Sequence, residues 1–292
     1  MDKEITALRK DLIDNILAKQ DEAFRWGYDE EDHRIHPDYL YYTPKYKATL
    51  WTLLLLADLK APADLPQIKH SMQLITEQFH APEHGVFRIP GMSHFPIPCL
   101  NGNMIYLHRY FETDQTGMIN DIITFFDQVQ RFDDGDYKTP RTYPYLGNTS
   151  CYGSHTCYWG VVKLLKGISF IPKAERTKPA QQLIENCIEF VLHHEVCFSS
   201  RRRDDLLHRD IDKLAFPNSW KSDFLEILWL LAREAVRDSR TARALDLLRS
   251  KQRDGYWELE KTFKFIVSTG SKNRPNSFIT ERANEVLDFY GR

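Results

Sequence analysis

The chain has 292 residues, 42% of them hydrophobic, and its 39 Lys and Arg nearly balance its 41 Asp and Glu, giving a net charge of −2. This is enough apolar sequence for one large domain or two ordinary ones. Nucleic-acid-binding proteins normally carry a basic face, so the balanced charge argues against nucleic acid as a partner. The one cationic run, Arg201–Arg203, is followed directly by Asp204 and Asp205 and is typical of a solvated loop.

The sequence predicts neither a membrane span nor a disulfide framework. The N-terminal stretch is charged throughout and lacks the apolar core of a secretory signal. The longest strongly apolar stretch, near Leu50–Ala57, is far shorter than the roughly 20 residues that cross a bilayer. We therefore expect a soluble, cytoplasmic protein. Its five cysteines are irregularly spaced, and in a reducing compartment such residues more often bind metal or act in catalysis.

A short motif that begins with Gln and contains aromatic residues or glycine recurs along the chain, each time at the end of an amphipathic stretch and before a loop. We call it the repeated segment ending. The copies, in chain order, are Gln20 with Phe24 and Trp26, Gln78 with Gly85 and Phe87, Gln130–Tyr137 (QRFDDGDY), and Gln252–Trp257 (QRDGYW). The last copy is the clearest and the first is degenerate. The period of about 50 residues is typical of an array of one supersecondary unit.

A more apolar helical segment follows each loop. These segments begin near Lys45, Cys99, Cys151, Trp220 and Ile279. No run of alternating β-branched residues indicates a strand, so each unit is predicted to pair an outer amphipathic helix with a more buried inner helix. Nothing in the composition marks a second domain. We therefore expect an all-α fold in a single domain, residues 1–292.

The QxxDGxW-like repeats and alternating helices resemble the α/α toroid of squalene and terpenoid cyclases and of protein prenyltransferase β subunits. The stretches CLNGNM, CYGSHTC and KYKATLWTLLLLADL look like a prokaryotic prenyltransferase-like branch of that superfamily. The resemblance implies an α/α toroid, or barrel, of about five to six inner and outer helix pairs. It also implies a central apolar cavity for an isoprenoid-like small molecule, with the inner-helix N-termini around one rim.

The stretch CYGSHTC, residues 151–157, holds three side chains that suit metal binding or nucleophilic chemistry. On a helix, Cys151 and His155 would share a face, whereas Cys157 would lie about 200° from His155. Gly153 could instead delay the helix until Ser154, as N-cap, which would free Cys151 to move. Free cysteine is often buried packing, and we expect this of Cys157.

The same stretch resembles a zinc-ligand segment of protein prenyltransferase β subunits. His155-Thr156-Cys157-Tyr158 matches the HisThrCysTyr-like segment that carries their zinc-ligand His, and Cys99 occupies the place of their ligand Cys. Their Asp ligand, two residues before that Cys, is replaced here by Ile97. The resemblance therefore implies a modified zinc set, Cys99, Cys151 and His155, with one position open for a substrate thiol. A metal-free pocket is the alternative.

Residues facing the expected cavity follow from helical spacing. Asn103 and Tyr106 share a face with Cys99, whereas His108 does not and is expected to pack between helices or lie at the surface. The predicted substrate-pocket residues are Tyr46, Lys47, Trp51, Asn103, Tyr106, Tyr152 and Trp220. Further candidate cations for a diphosphate include Lys163, Lys221 and Arg282.

Several other groups are predicted to be structural. Asp133 and Asp134, with the Gly135 that follows them, indicate a turn and not the acid of a protonation-driven cyclase. Cys187 and Cys197 are expected to be structural, and the pair His193–His194 is expected at the surface.

These patterns leave the activity open among three classes. One is an enzyme, prenyltransferase-like or a cyclase, that acts on an apolar small molecule through a zinc-activated thiol. The CysTyrGly triplet also resembles lanthipeptide cyclases, which are zinc-dependent toroids, and this gives a second zinc-thiolate alternative. The third is a non-catalytic binding or scaffold toroid.

Overall fold

The computed structural model describes residues 2–35, 40–89, 95–113, 117–135 and 137–291, and most of them are helical. The helices are α1 (Asp2–Leu17), α2 (Glu30–Ile35), α3 (Thr49–Asp58), α4 (Pro66–Phe79), α5 (Pro98–Tyr110), α6 (Met118–Val129), α7 (Thr149–Tyr152), α8 (Tyr158–Ser169), α9 (Lys178–His193), α10 (Phe224–Arg233), α11 (Ala242–Ser250) and α12 (Ser277–Tyr290). Two short strands, β1 (His80–Ala81) and β2 (Val86–Phe87), pair antiparallel with His80 opposite Phe87. The predicted all-α class is confirmed.

The helices alternate between two kinds, as the sequence predicts. Every residue of α3 is buried, and α8 and α10 are buried along most of their length. By contrast, α4 buries one face, with Ile68, Met72, Ile75 and Phe79 at helical spacing. Helix α3 packs against α5, α5 against α8, α8 against α10, and α10 against α12.

The repeated segment endings form equivalent structures at opposite ends of the chain. The ring N–H of Trp257 donates to the carbonyl of Leu248 at 2.8 Å, and that of Trp26 donates to the carbonyl of Ile16 at 2.8 Å. The backbone N–H groups of the same two tryptophans donate to Thr280 Oγ1 at 3.1 Å and to Thr49 Oγ1 at 3.2 Å. Each tryptophan therefore joins the end of one helix to the start of the next inner helix.

Helices α5 and α8 approach each other at glycine positions. A Cβ on Gly102 would overlap the backbone of Lys163, and a Cβ on Gly167 would lie 2.5 Å from the carbonyl oxygen of Gly102. Only glycine permits this approach, which aligns the N-terminal ends of the two helices. Within the described ranges, no helix has the length and apolar character needed to span a membrane.

Candidate functional site

The sequence CYGSHTC does not form the start of one long helix. Helix α7 ends at Tyr152, and α8 begins only at Tyr158, with Cys157 as its N-cap. Between them, Tyr152 pairs with Thr156 in an antiparallel bridge, which makes the intervening residues a tight turn. A Cβ on Gly153 would overlap the carbonyl oxygen of Thr149, so this turn requires glycine. Neither expected arrangement is formed: Cys151 and His155 do not lie on one continuous helix, and α8 does not begin with Ser154 as its N-cap.

The turn brings Cys151 and Cys157 together instead. A hydrogen bond joins the side chains of Cys151 and Cys157, and the electrostatic influence of Cys99 also reaches Cys151. This hydrogen bond raises the pKa of Cys151, and burial raises the pKa of Cys99 to about 12. We call Cys99, Cys151 and Cys157 the thiol cluster; all three are part-buried and free of disulfides.

Cys157 is the member of the thiol cluster whose pKa is lowered. The Cys151 hydrogen bond lowers its pKa to about 7; burial opposes this, and the N–H groups of Gly160 and Trp159 and the Lys221 ammonium assist it. A helix N-terminus stabilises a thiolate through its free N–H groups and partial positive charge. Cys157, expected to be core packing, is therefore the residue that sequence reasoning undervalued.

His155 is exposed and lies beside Asp134. Its side chain is 59% exposed, and its Nδ1 lies 3.4 Å from Asp134 Oδ1. Among the residues that the structure describes, no three His, Cys, Asp or Glu side chains form a group that could hold a metal ion. The sequence also carries Ile97 in place of the expected Asp ligand, so a zinc set of Cys99, Cys151 and His155 stays a prediction from the resemblance.

Aromatic side chains lie near the start of α3 and in the segment before α10. The ring N–H of Trp220 donates to the hydroxyl of Tyr46 at 2.9 Å, and the Tyr46 ring lies 5.5 Å from that of Trp51. Phe263 and Phe265 contact Tyr46 at ring distances of 4.8 and 5.5 Å. Tyr46, Trp51, Trp220, Phe263 and Phe265 are called the aromatic rim below.

Two ammonium groups flank this rim. Lys45 lies 5.7 Å and Lys221 lies 4.8 Å from the Trp220 ring centre. Lys221 is also 6.0 Å from the Trp159 ring and 3.4 Å from His208 Nε2. Burial lowers its pKa, and Lys261 adds to the effect. Lys47, the cation predicted for the pocket, is exposed, and so is Lys45. The cations that lie over the Trp220 ring are Lys45 and Lys221.

Trp51, a member of the aromatic rim, is buried in packing, as are the predicted pocket residues Tyr152 and Asn103. Tyr152 donates its hydroxyl to the carbonyl of Pro96 at 2.7 Å, and Trp51 donates its ring N–H to the carbonyl of Tyr42 at 2.7 Å. Asn103 donates to the carbonyl of Ser219 at 3.2 Å. His108 is buried between helices, as one of its two expected placements requires.

Below the rim, the inner helices meet at a cluster of buried charges, which we call the ion cluster. Lys163 Nζ lies 2.7 Å from Glu226 Oε2, and Lys166 Nζ lies 2.9 Å from Glu226 Oε1 and 3.0 Å from Asp58 Oδ1. Tyr106 donates its hydroxyl to the same Asp58 oxygen at 3.0 Å. The predicted pocket residue Tyr106 and candidate cation Lys163 therefore belong to a paired interior network.

Charge pairing controls the ionisation of this cluster. Burial alone would raise the pKa of Glu226, but Lys163 and Lys166, helped by Arg282, lower it. Burial likewise opposes the charge on Lys166, yet Asp58 and Glu226 raise its pKa. For Lys163, burial outweighs Glu226 and the pKa is lowered. Both oxygens of Glu226 are engaged, so the ion cluster offers a ligand no free carboxylate at that position.

Comparison with models of protein families, with curated proteins and with solved structures finds no match to this chain. The function is therefore inferred from the chemistry of the site. Its features are a thiol of lowered pKa at a helix N-terminus, an ammonium group that influences it, and aromatic surfaces that a small molecule could cover.

Proposed function

We propose that α3, α5, α8, α10 and α12 form the inner ring of an α/α toroid, and that the rim at their N-terminal ends binds an amphipathic small molecule. The successive contacts between these helices support the ring. Support for its closure comes from α12, whose Glu281 pairs with Arg9 on α1 and lies 3.2 Å from Lys60, just after α3. The proposed ligand has an isoprenoid-like apolar body and an anionic head.

The placement of Lys45 and Lys221 beside the aromatic rim carries this proposal. Aromatic faces bind an apolar chain, and cations held over aromatic rings can also pair with an anionic head group. The charged interior requires the ligand to bind at the rim and not deep between the helices. An ion cluster with paired members favours a shallow site, because displacing a buried ion pair is costly.

Binding of geranyl phosphate, measured by isothermal titration calorimetry, tests the proposal. Trp220→Leu removes a rim ring and should weaken binding about tenfold, since a lost aromatic contact is worth roughly 1 kcal/mol or more. Trp229→Leu is the matched control, because Trp229 contacts Phe170 and Arg233 at a different place. Equal weakening in the two variants, or no binding to the wild type, would refute the rim site.

A thiol-dependent reaction is the catalytic form of this proposal, and Cys157 is the observation that favours it. Its sulfur accepts hydrogen bonds at the N-terminus of α8 and is influenced by the Lys221 ammonium. A ligand on the rim would lie near this nucleophile, and the anionic head would be held by the lysines. A purely binding or scaffold role predicts no turnover of the ligand by the wild type, and an unchanged ligand affinity in Cys157→Ser.

Zinc stays a prediction from the resemblance, and its measurement is direct. From the geometry, we expect much less than one zinc per chain in protein purified without chelators, with no change in His155→Ala. Elemental analysis of both proteins gives the answer. About one zinc per chain, lost in the variant, would restore the zinc-thiolate mechanism and overturn the metal-free interpretation.

A further inference from the structure

A cavity lies beside the turn that follows Gly153, with Trp159 in its wall. It has a volume of about 380 Å³ and is lined by residues that include Asp134, His155, Thr156, Trp159, Phe190 and His194. We call it the His194 cavity. Its size falls within the range of natural small-molecule sites, about 300–1,000 Å³.

Two buried polar atoms in the wall of this cavity lack a hydrogen-bond partner among the described residues. They are Nδ1 of His194, a residue 2% exposed, and Oγ1 of Thr156, a residue 9% exposed. Such groups are normally paired, because an unpaired buried polar atom costs free energy. The prediction that His194 lies at the surface is wrong; its ring packs against Phe190 at 4.9 Å and Tyr158 at 5.4 Å.

Among the described residues that line this cavity, Asp134 is the only carboxylate, and both of its oxygens already have partners. Ser200 donates its hydroxyl to one oxygen of Asp134, and His155 Nδ1 lies 3.4 Å from the other. Together with the nearby His194, these bonds lower the pKa of Asp134, although burial opposes the effect. Asp134 therefore organises its neighbours and offers a ligand few free lone pairs.

A guanidinium group is held at the edge of the cavity. Arg201 Nη2 donates to the backbone carbonyl of Asp134 at 2.5 Å. Gly135, at φ +101°, makes this possible, because a Cβ there would lie 2.5 Å from Arg201 Nη2 and would overlap the ring of His155. The glycine of the repeated segment ending thus has a local role in bringing a cation and an imidazole to one wall.

The geometry points to a binding site for a small planar aromatic anion in the His194 cavity. The flat walls of Trp159 and Phe190 suit a ring. Thr156 Oγ1 and His194 Nδ1 can hydrogen-bond the anionic group, and Arg201 supplies the positive charge. This site uses no residue of the aromatic rim or the thiol cluster, although Trp159 and His208 in its wall also lie beside Lys221. It does not rest on the function proposed above.

Phenyl phosphate is the test probe, with affinity measured by calorimetry on the full chain. Thr156→Val keeps the shape of the side chain and removes its hydroxyl, and we expect about tenfold weaker binding from one lost hydrogen bond to a charged group. His194→Gln should weaken binding similarly. His193→Gln is the matched control, because His193 is the exposed neighbour of His194.

Each outcome of these binding measurements either supports the site or overturns it. Weakening in Thr156→Val and His194→Gln, with wild-type affinity in His193→Gln, supports the site. Wild-type affinity in Thr156→Val with a native circular dichroism spectrum overturns it, as does the absence of binding at millimolar phenyl phosphate. Saturating geranyl phosphate should leave the affinity for phenyl phosphate unchanged, and competition between the two would also overturn a separate site.

Discussion

Helix α8 begins in a reactive environment and ends in an inert one. At its N-terminus, Cys157 is part-buried, and its thiol lies under the electrostatic influence of a part-exposed lysine. Less than three turns later, Lys163 and Lys166 have fully buried side chains that pair with Glu226 and Asp58. The same helix thus carries polar groups that solvent can reach and charged groups that are fully buried and paired.

The difference lies in pairing and access, and not in residue type. A lysine in the interior forms ion pairs with the protein's own carboxylates, so its charge is not available to a ligand. A lysine at the rim, such as Lys221, has a ring face and an imidazole as neighbours and keeps its charge available. Here the buried charges have a structural role, because they pair with each other, whereas the part-exposed charges are the candidates for contact with a ligand.

Breaking the ion cluster should have the largest effect on the protein. Glu226→Gln leaves Lys163 and Lys166 buried without their shared anion, so we expect the free energy of unfolding to fall by about 3–5 kcal/mol. Lys221→Gln, at the rim, should change it by less than about 1 kcal/mol. Urea denaturation of both variants gives the values. Similar losses in the two would remove the distinction between interior and rim.

Interior groups should also couple their titration to unfolding. Burial lowers the pKa of His108 to about 4, against 6.5 for an ordinary histidine. Between these two values the unfolded chain binds more protons than the folded one, so stability falls as the pH falls. The loss amounts to about 3 kcal/mol from this residue when the pH drops from about 6.5 to about 4.

The His108 contribution can be isolated by difference. His108→Gln should be less stable at neutral pH, yet its stability should depend less on pH than that of the wild type. The subtraction matters because Asp223, whose pKa burial raises to about 6, contributes with the opposite sign. The exposed His193→Gln is the control. A pH profile in His108→Gln parallel to that of the wild type would contradict a buried neutral imidazole.

The spacing of apolar residues was sufficient to predict most of the helices. A helix with one buried face has apolar residues at helical spacing, and a helix buried on all faces is apolar throughout. Even the degenerate repeat at Trp26 makes the same two hydrogen bonds as the clear repeat at Trp257. These bonds need only an indole N–H and a threonine at the next helix start. The all-α class follows from such local rules, whereas the toroid stays a proposal.

The candidate site was harder to predict, because its geometry depends on non-local neighbours. A five-residue turn, and not a helix, separates Cys151 from Cys157, and the Tyr152–Thr156 bridge that closes it leaves no periodic signal. Glu226, which pairs with Lys163, and Ser200, which bonds to Asp134, each lie more than 60 residues away in the chain. Spacing predicts helix starts near Cys99 and Cys151, but it could not exchange His155 for Cys157 in the cluster.

The smallest predicted effect is a shift in the reactivity of one thiol, and it tests whether the rim is functional. At pH 7, iodoacetamide should label Cys157 faster than any other cysteine, with an apparent pKa of about 7 for the rate. An ordinary thiol would give about 8.5. Rates are measured peptide by peptide with mass spectrometry from pH 5.5 to 9, with buried Cys187 as the unreactive internal control.

Cys151→Ala sharpens this measurement because it removes the thiol that is hydrogen-bonded to Cys157. The apparent pKa of Cys157 should then rise toward the ordinary value, while the N–H groups of α8 and the Lys221 ammonium still favour the thiolate. Lys221→Gln should raise the apparent pKa by a smaller amount, since Lys221 is the weaker influence. If neither variant moves the pKa, the thiol is not tuned by its neighbours. Cys157 would then be a packed residue, and the contrast along α8 would be one of burial alone.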